Sequence, residues 1–257
     1  EAGSRSVELI VEIPQTDVKV KLTIIQSKYY KVGDLYVVNG EPLGLVYEIS
    51  DGGAHGKVVA LKAHRELNLL YRTGLPYDEI HPEDPNNVGV IARSETDGQE
   101  NMKAYKQIPD WKTHYPVAAY VSDLNDENGN PGWYLPAIKE VQAMVGWIDG
   151  EVLSPDGEAG QEPSEAMKEK RKAINQLIVD NGGNEFYFYG YDVSFIIDQT
   201  NAWEADYFNR IYTSTETDYQ VHPMVFKFYL RNGWWETMHV YGDLAGSYGE
   251  VRPFLAF

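Results

Sequence analysis

The chain has 257 residues, 39 acidic and 22 basic, for a formal net charge of −17. That surplus excludes nucleic-acid binding, which needs a basic surface to displace counterions, and disfavours polyanionic glycans and anionic lipid surfaces. With 43 % hydrophobic and 24 % charged residues, no cysteine and no apolar run near the roughly 18 residues of a membrane span, the chain reads as globular, without disulfides, thiolate metal sites or direct membrane insertion.

Residues 6–26 alternate at period two around Pro14-Gln15-Thr16. Val7, Leu9, Val11 and Ile13 share one face, as do Val18, Val20, Leu22 and Ile24, which predicts a β-hairpin with Glu8 and Glu12 facing Lys19 and Lys21. Three short strands follow at 34–38, 44–50 and 57–63, punctuated by Asn39-Gly40 and Asp51-Gly52-Gly53. From Thr73 to Tyr115 the pattern dissolves into Pro, Asn, Asp and Gly, which predicts an ordered long-loop region, and 123–132 reads as a polar turn. Pro136 opens a helix whose Ile138, Val141, Val145 and Ile148 recur at helical spacing. Residues 150–165 carry five acids and no base and read as a mobile, protease-sensitive loop. A second helix spans 164–181, capped by Ser164 and stopped by Gly182-Gly183, with Met167, Ile174, Leu177 and Ile178 as its buried stripe. Strands return at 185–189, 224–231, 234–240 and 250–257, the middle pair joined by Asn232-Gly233. Strands at both ends with helices between them make an α+β order, and 34–63 with 224–257 are expected to share one antiparallel sheet.

The common catalytic signatures are missing: no phosphate-binding loop, dinucleotide fingerprint, nucleophile elbow or H-E-x-x-H. The six histidines, at 55, 64, 81, 114, 222 and 239, are scattered. Carboxylate pairs such as Glu204/Asp206 and Glu216/Asp218 have the chemistry of a glycoside hydrolase, yet 39 acids produce such pairs by chance. Asp123, Asn125, Asp126 and Asn128 offer the oxygen ligands of a calcium site, although their glycine and acid spacing departs from the EF-hand loop. The surplus of 19 Tyr, 6 Trp and 8 Phe suits sugar stacking as well as packing. The candidate ligand-binding residues are Trp203, Tyr207, Glu216, Asp218, Trp234 and Trp235, of which consecutive Trp234 and Trp235 point to opposite faces of a strand.

Six segments stand in a familiar order: 33–61, 97–105, GWYLPAIKEVQAM at 132–144, 174–183, YTSTE at 212–216 and VRPFLAF at 251–257. Together they resemble the bacterial surface domain named for the C-terminal domain of the Legionella collagen-like adhesin and for the Fibrobacter major paralogous domain. Tyr212 and Thr213 stand where that family tends to have Trp and Ser, and Pro253-Phe254-Leu255 interrupts its closing motif. The resemblance implies a C-type-lectin-like α+β fold over 29–257, related to the formylglycine-generating enzyme, whose cysteine chemistry does not carry over to a chain without cysteine. It implies that the GWYLP-like and YTSTE-like motifs are mainly structural, and that 1–28 is similar to the end of an immunoglobulin-like module of Bacteroidetes surface proteins.

The chain opens at Glu1 without methionine or apolar leader, which reads as a mature or trimmed form whose targeting information is missing; the resemblance implies an extracellular or cell-surface location, lipoprotein-anchored in the full-length precursor. The first reading is a non-enzymatic surface domain binding a neutral glycan or a protein. The rivals are a glycan-active hydrolase using paired carboxylates and a structural pilus or surface-assembly component.

Overall fold

The computed structural model describes residues 5–12, 19–26, 29–64, 92–127, 132–149, 164–186, 210–216, 223–228, 235–239 and 250–257. Strands β1 (Arg5–Glu12) and β2 (Lys19–Gln26) form a two-stranded antiparallel sheet. Its register sets Val7 opposite Ile24, Leu9 opposite Leu22 and Val11 opposite Val20, with Glu12 opposite Lys19, as the alternation requires.

β3 (Leu35–Val38), β4 (Glu41–Ser50) and β5 (His55–Ala60) make an antiparallel meander. Asn39 (φ 53°) and Gly40 (φ 90°) both take the left-handed conformation that a two-residue hairpin turn demands. β9 (Phe254–Ala256) pairs antiparallel with β5 and completes the order β3-β4-β5-β9. The remaining strands, β6 (Arg210–Glu216), β7 (Pro223–Phe228) and β8 (Trp235–His239), form a separate antiparallel sheet. The expectation of one sheet for 34–63 and 224–257 is therefore corrected. Only the last segment joins the first sheet, because β7 finds its partners in β6 and β8.

Five α-helices are present among the described residues. α4 (Ile138–Asp149) and α5 (Glu165–Asp180) are the two expected from periodicity. α4 touches β4, β6, β7 and α5, and its Ile138, Val141, Met144, Val145 and Ile148 are all buried. Each such side chain contributes about 1.5–3 kcal/mol of transfer free energy before conformational entropy is subtracted. On α5 the Ser164 hydroxyl accepts from the Met167 amide at 3.3 Å, and Gly182 (φ 74°) ends the helix.

The other three correct the loop reading of 73–115 and the turn reading of 123–132. α1 (Gly98–Tyr105) starts at Asp97, whose carboxylate accepts from the Glu100 amide at 3.0 Å. Its inner face is Gly98, Asn101, Met102 and Tyr105, a helical period carried partly by polar residues. Gly98 is required there, since a Cβ would stand 2.3 Å from the Leu135 carbonyl oxygen. α2 (Trp111–His114) is a single turn, and α3 (Pro116–Glu127) runs through the Asx-rich stretch. The expected loop at 150–165 and the turn at Asn232-Gly233 lie outside the described residues, apart from the Ser164 cap and Glu165.

The C-terminal segment joins these parts. The Tyr212 backbone N–H donates to the Glu250 carbonyl at 3.0 Å, and His64 and Val251 exchange backbone hydrogen bonds, as do Tyr134 and Phe254. Between these pairings the Arg252 side chain is fully buried. Its Nε donates to the Glu250 carboxylate, Nη1 to the carbonyls of Ala60 and Leu61 at 3.0 and 3.1 Å, and Nη2 to those of Asn184 and Glu185 at 2.8 and 3.3 Å. Arg252→Met removes the cation and leaves a buried carboxylate beside four carbonyls that lose a donor. Urea unfolding should show a loss of about 3–5 kcal/mol, and a loss under about 1 kcal/mol would contradict this role.

Candidate functional site

The residues 212–216 of β6 are all buried, and Ser214, Thr215 and Glu216 each bond to neighbouring backbone through a side-chain oxygen. Ser214 donates its backbone N–H to the Pro136 carbonyl at 2.7 Å, and the Tyr105 hydroxyl donates to the Ser214 carbonyl at 2.6 Å. Asn101 Nδ2 donates to Ser214 Oγ and to the Ser94 carbonyl, while the Thr215 hydroxyl donates to that same carbonyl and accepts from the Ile138 amide. Glu216 is 5 % exposed; its backbone N–H donates to the Ala92 carbonyl at 2.9 Å and its Oε2 accepts from the Ala92 amide at 3.3 Å. This strand fastens 92–101 to the start of α4.

Glu140, on α4, is also buried. Its Oε2 accepts from the amides of Gly98 and Ala137 at 3.0 and 2.9 Å, and its Oε1 from the Tyr134 hydroxyl at 2.8 Å and from Lys57 Nζ at 2.9 Å. A carboxylate with four donors is a structural hub, since a general acid or base needs an open side toward a substrate. Burial raises Tyr134 well above the ordinary tyrosine range, with the Glu140 charge adding to it, and burial likewise raises Tyr47.

An open groove of about 510 Å³ lies on another face, between the start of β4, the chain after β5, α3 and the end of α5. Leu43, Leu61 and Leu124 give it apolar lining, Tyr120 and Trp133 aromatic faces, and Glu41, Lys62 and Asn181 polar groups. Glu41 and Lys62 are exposed. Asn125 orders one wall: its Oδ1 accepts from the amides of Gly132 and Trp133 at 3.1 and 2.7 Å, and its Nδ2 donates to the Trp133 carbonyl at 2.8 Å. The Tyr120 ring packs at a 37° tilt against His64, with ring centroids 4.3 Å apart.

Among the sequence-proposed ligand residues, Glu216 faces the interior and is corrected to a packing role. Trp235 lies in β8 opposite Phe228. Trp203, Tyr207, Asp218 and Trp234 lie outside the described residues. Of the proposed calcium set, Asp123, Asn125 and Asp126 belong to α3, where Asp123 and Asn125, two apart, do not face each other. Asn125 has its oxygen occupied by two amide donors, and Asp123 pairs with Lys112. Asn128 lies outside the described residues, among which no group of three metal-ligating side chains occurs. No single sequence motif announces the groove, since separate segments supply its walls: 41–43, 60–62, α3, Trp133, the end of α5 and Pro253.

No protein-family model matches the chain, and no curated protein does. A fimbrial protein from Bacteroides ovatus is similar in structure, with a TM-score of 0.50 and 14 % sequence identity. The likeness is one of fold. It covers 94 % of this chain, which spans 55 % of that protein's length. The chain is thus a mixed α+β protein related in fold to a fimbrial protein, and no helix among its described residues is long and apolar enough to cross a membrane.

The buried tyrosines set a pH dependence. Tyr134 and Tyr47 hold protons more tightly folded than unfolded, so their contribution is fully present below their ordinary pKa of 10.0 and is lost as pH rises above it. Absorbance at 295 nm, about the wavelength of the phenolate band, should show these two ionising only together with unfolding in alkali. Smooth titration of every tyrosine in a folded protein would contradict their burial.

Proposed function

We propose that this chain is a non-enzymatic recognition module of a bacterial surface or fimbria-like assembly, built on a C-type-lectin-like fold and binding a neutral glycan. The observation that carries the reading is the fold likeness to a fimbrial protein along 94 % of the chain. The ordered motifs of the adhesin-related domain support the lectin-like fold. A net charge of −17 opposes polyanionic ligands and leaves stacking and neutral hydrogen bonds as the means of recognition. Hydrolysis needs two acids facing one bond, and the inward turn of Glu216 weighs against the Glu216/Asp218 pair. The same fold likeness favours a second reading, a purely structural component of a surface assembly.

Incubation of the whole chain on an array of neutral oligosaccharides separates these readings, run with calcium and with EDTA and followed by mass spectrometry of the printed glycans. The expected result is retention on a subset of glycans of unchanged mass, equal in both buffers. Cleaved glycans overturn the non-enzymatic reading, and absence of retention overturns recognition in favour of the structural component.

A further inference from the structure

We infer that the groove between β4, the chain after β5 and α3 binds one or two rings of a neutral sugar, with Trp133 and Tyr120 as aromatic faces and Glu41 and Lys62 as hydroxyl partners. The inference rests on the recognition reading above and gives it a place.

The groove's volume, about 510 Å³, falls in the range of small-ligand sites and exceeds the needs of an ordered water or two. Its polar groups narrow the ligand class. Glu41 and Lys62 are both exposed and neither forms an ion pair among the described residues, so one carboxylate and one ammonium stand at its edge with formal charges that cancel. An anion such as a phosphate would meet one cation opposed by one carboxylate, in a chain already at −17. A cation would meet the reverse conflict locally. A polyhydroxylated neutral ligand satisfies both, since a hydroxyl donates to the carboxylate and accepts from the ammonium.

The walls are preorganised. Trp133 is 8 % exposed, and Asn125 grips its backbone from both sides while Tyr134, next in the chain, is paired with Phe254. Tyr120 is fixed against His64. Rings held this way lose little entropy when a sugar face stacks on them.

The test uses ¹⁵N-indole spectra of the whole chain, in which six tryptophans give six signals, during titration with maltose, cellobiose, lactose and mannobiose. The Trp133 signal should move and saturate with at least one of these sugars. Glu41→Ala and Lys62→Ala, both at exposed positions, should each weaken that binding about tenfold or more with the unfolding temperature unchanged. Binding of equal strength in both variants overturns the assignment of their roles. Movement of the Trp203, Trp234 or Trp235 signal in place of Trp133 overturns the groove and leaves surface recognition standing. No movement at any indole overturns the groove, and retention on the glycan array then decides whether the recognition reading survives.

Discussion

A guanidinium taken out of water must have its N–H groups matched, and the way Arg252 meets this demand organises the structure around it. Its donors are met by Glu250, by two carbonyls at the end of β5 and by two carbonyls in the turn after α5, while its Cζ lies 4.1 Å from the centroid of the Phe186 ring. Segments far apart in sequence are thereby held to one another through one side chain. The flanking residues extend the effect, because the backbone of 250–257 bonds to Gly56, Ala60, His64, Tyr134 and Tyr212. One short tail completes the first sheet, closes against the GWYLP-containing loop and meets the second sheet at β6 through the Ile211–Glu250 bridge.

This arrangement separates structural polarity from functional polarity. The polar residues that attract attention in the sequence (Ser214, Thr215, Glu216, Glu140, Arg252) are internal, and each bonds to backbone or to an opposite charge. Such matching is the condition for burying them at all. Exposed charged groups, Glu41 and Lys62, line the groove, whose wall includes Pro253 from the same tail and Trp133 from the loop that tail clamps. Fold and site are thus coupled, since loosening the tail would loosen the aromatic face proposed to take a sugar.

Much of the fold was legible in local pattern. The hairpin register, the Asn39-Gly40 turn, the Ser164 cap and the apolar stripe of α4 follow from short-range rules, and each is found in place. α1 was not, because two of its inward positions are Gly98 and Asn101, chosen for close approach to Leu135 and for bonds to Ser94 and Ser214. The Asx-rich stretch after Ser122 looks like a turn or a metal loop, but its first half continues α3 and Asn125 caps the chain at Trp133. The division into two larger sheets was illegible, since strand alternation does not say whether β7 and β8 pair with β5 or with β6. The groove was illegible for the same reason: its members meet only in space.

Native-state hydrogen exchange tests most directly whether the tail is the fastening of the fold. The account predicts that the amides of Val251, Phe254, Tyr134 and Tyr212 exchange only through global opening, with the free energy measured for complete unfolding and equal to that of Val46 in the middle of β4. Exchange of Val251 and Phe254 through a much cheaper local opening, while Val46 and Tyr212 stay protected, would contradict it and reduce the C-terminal segment to an appended edge.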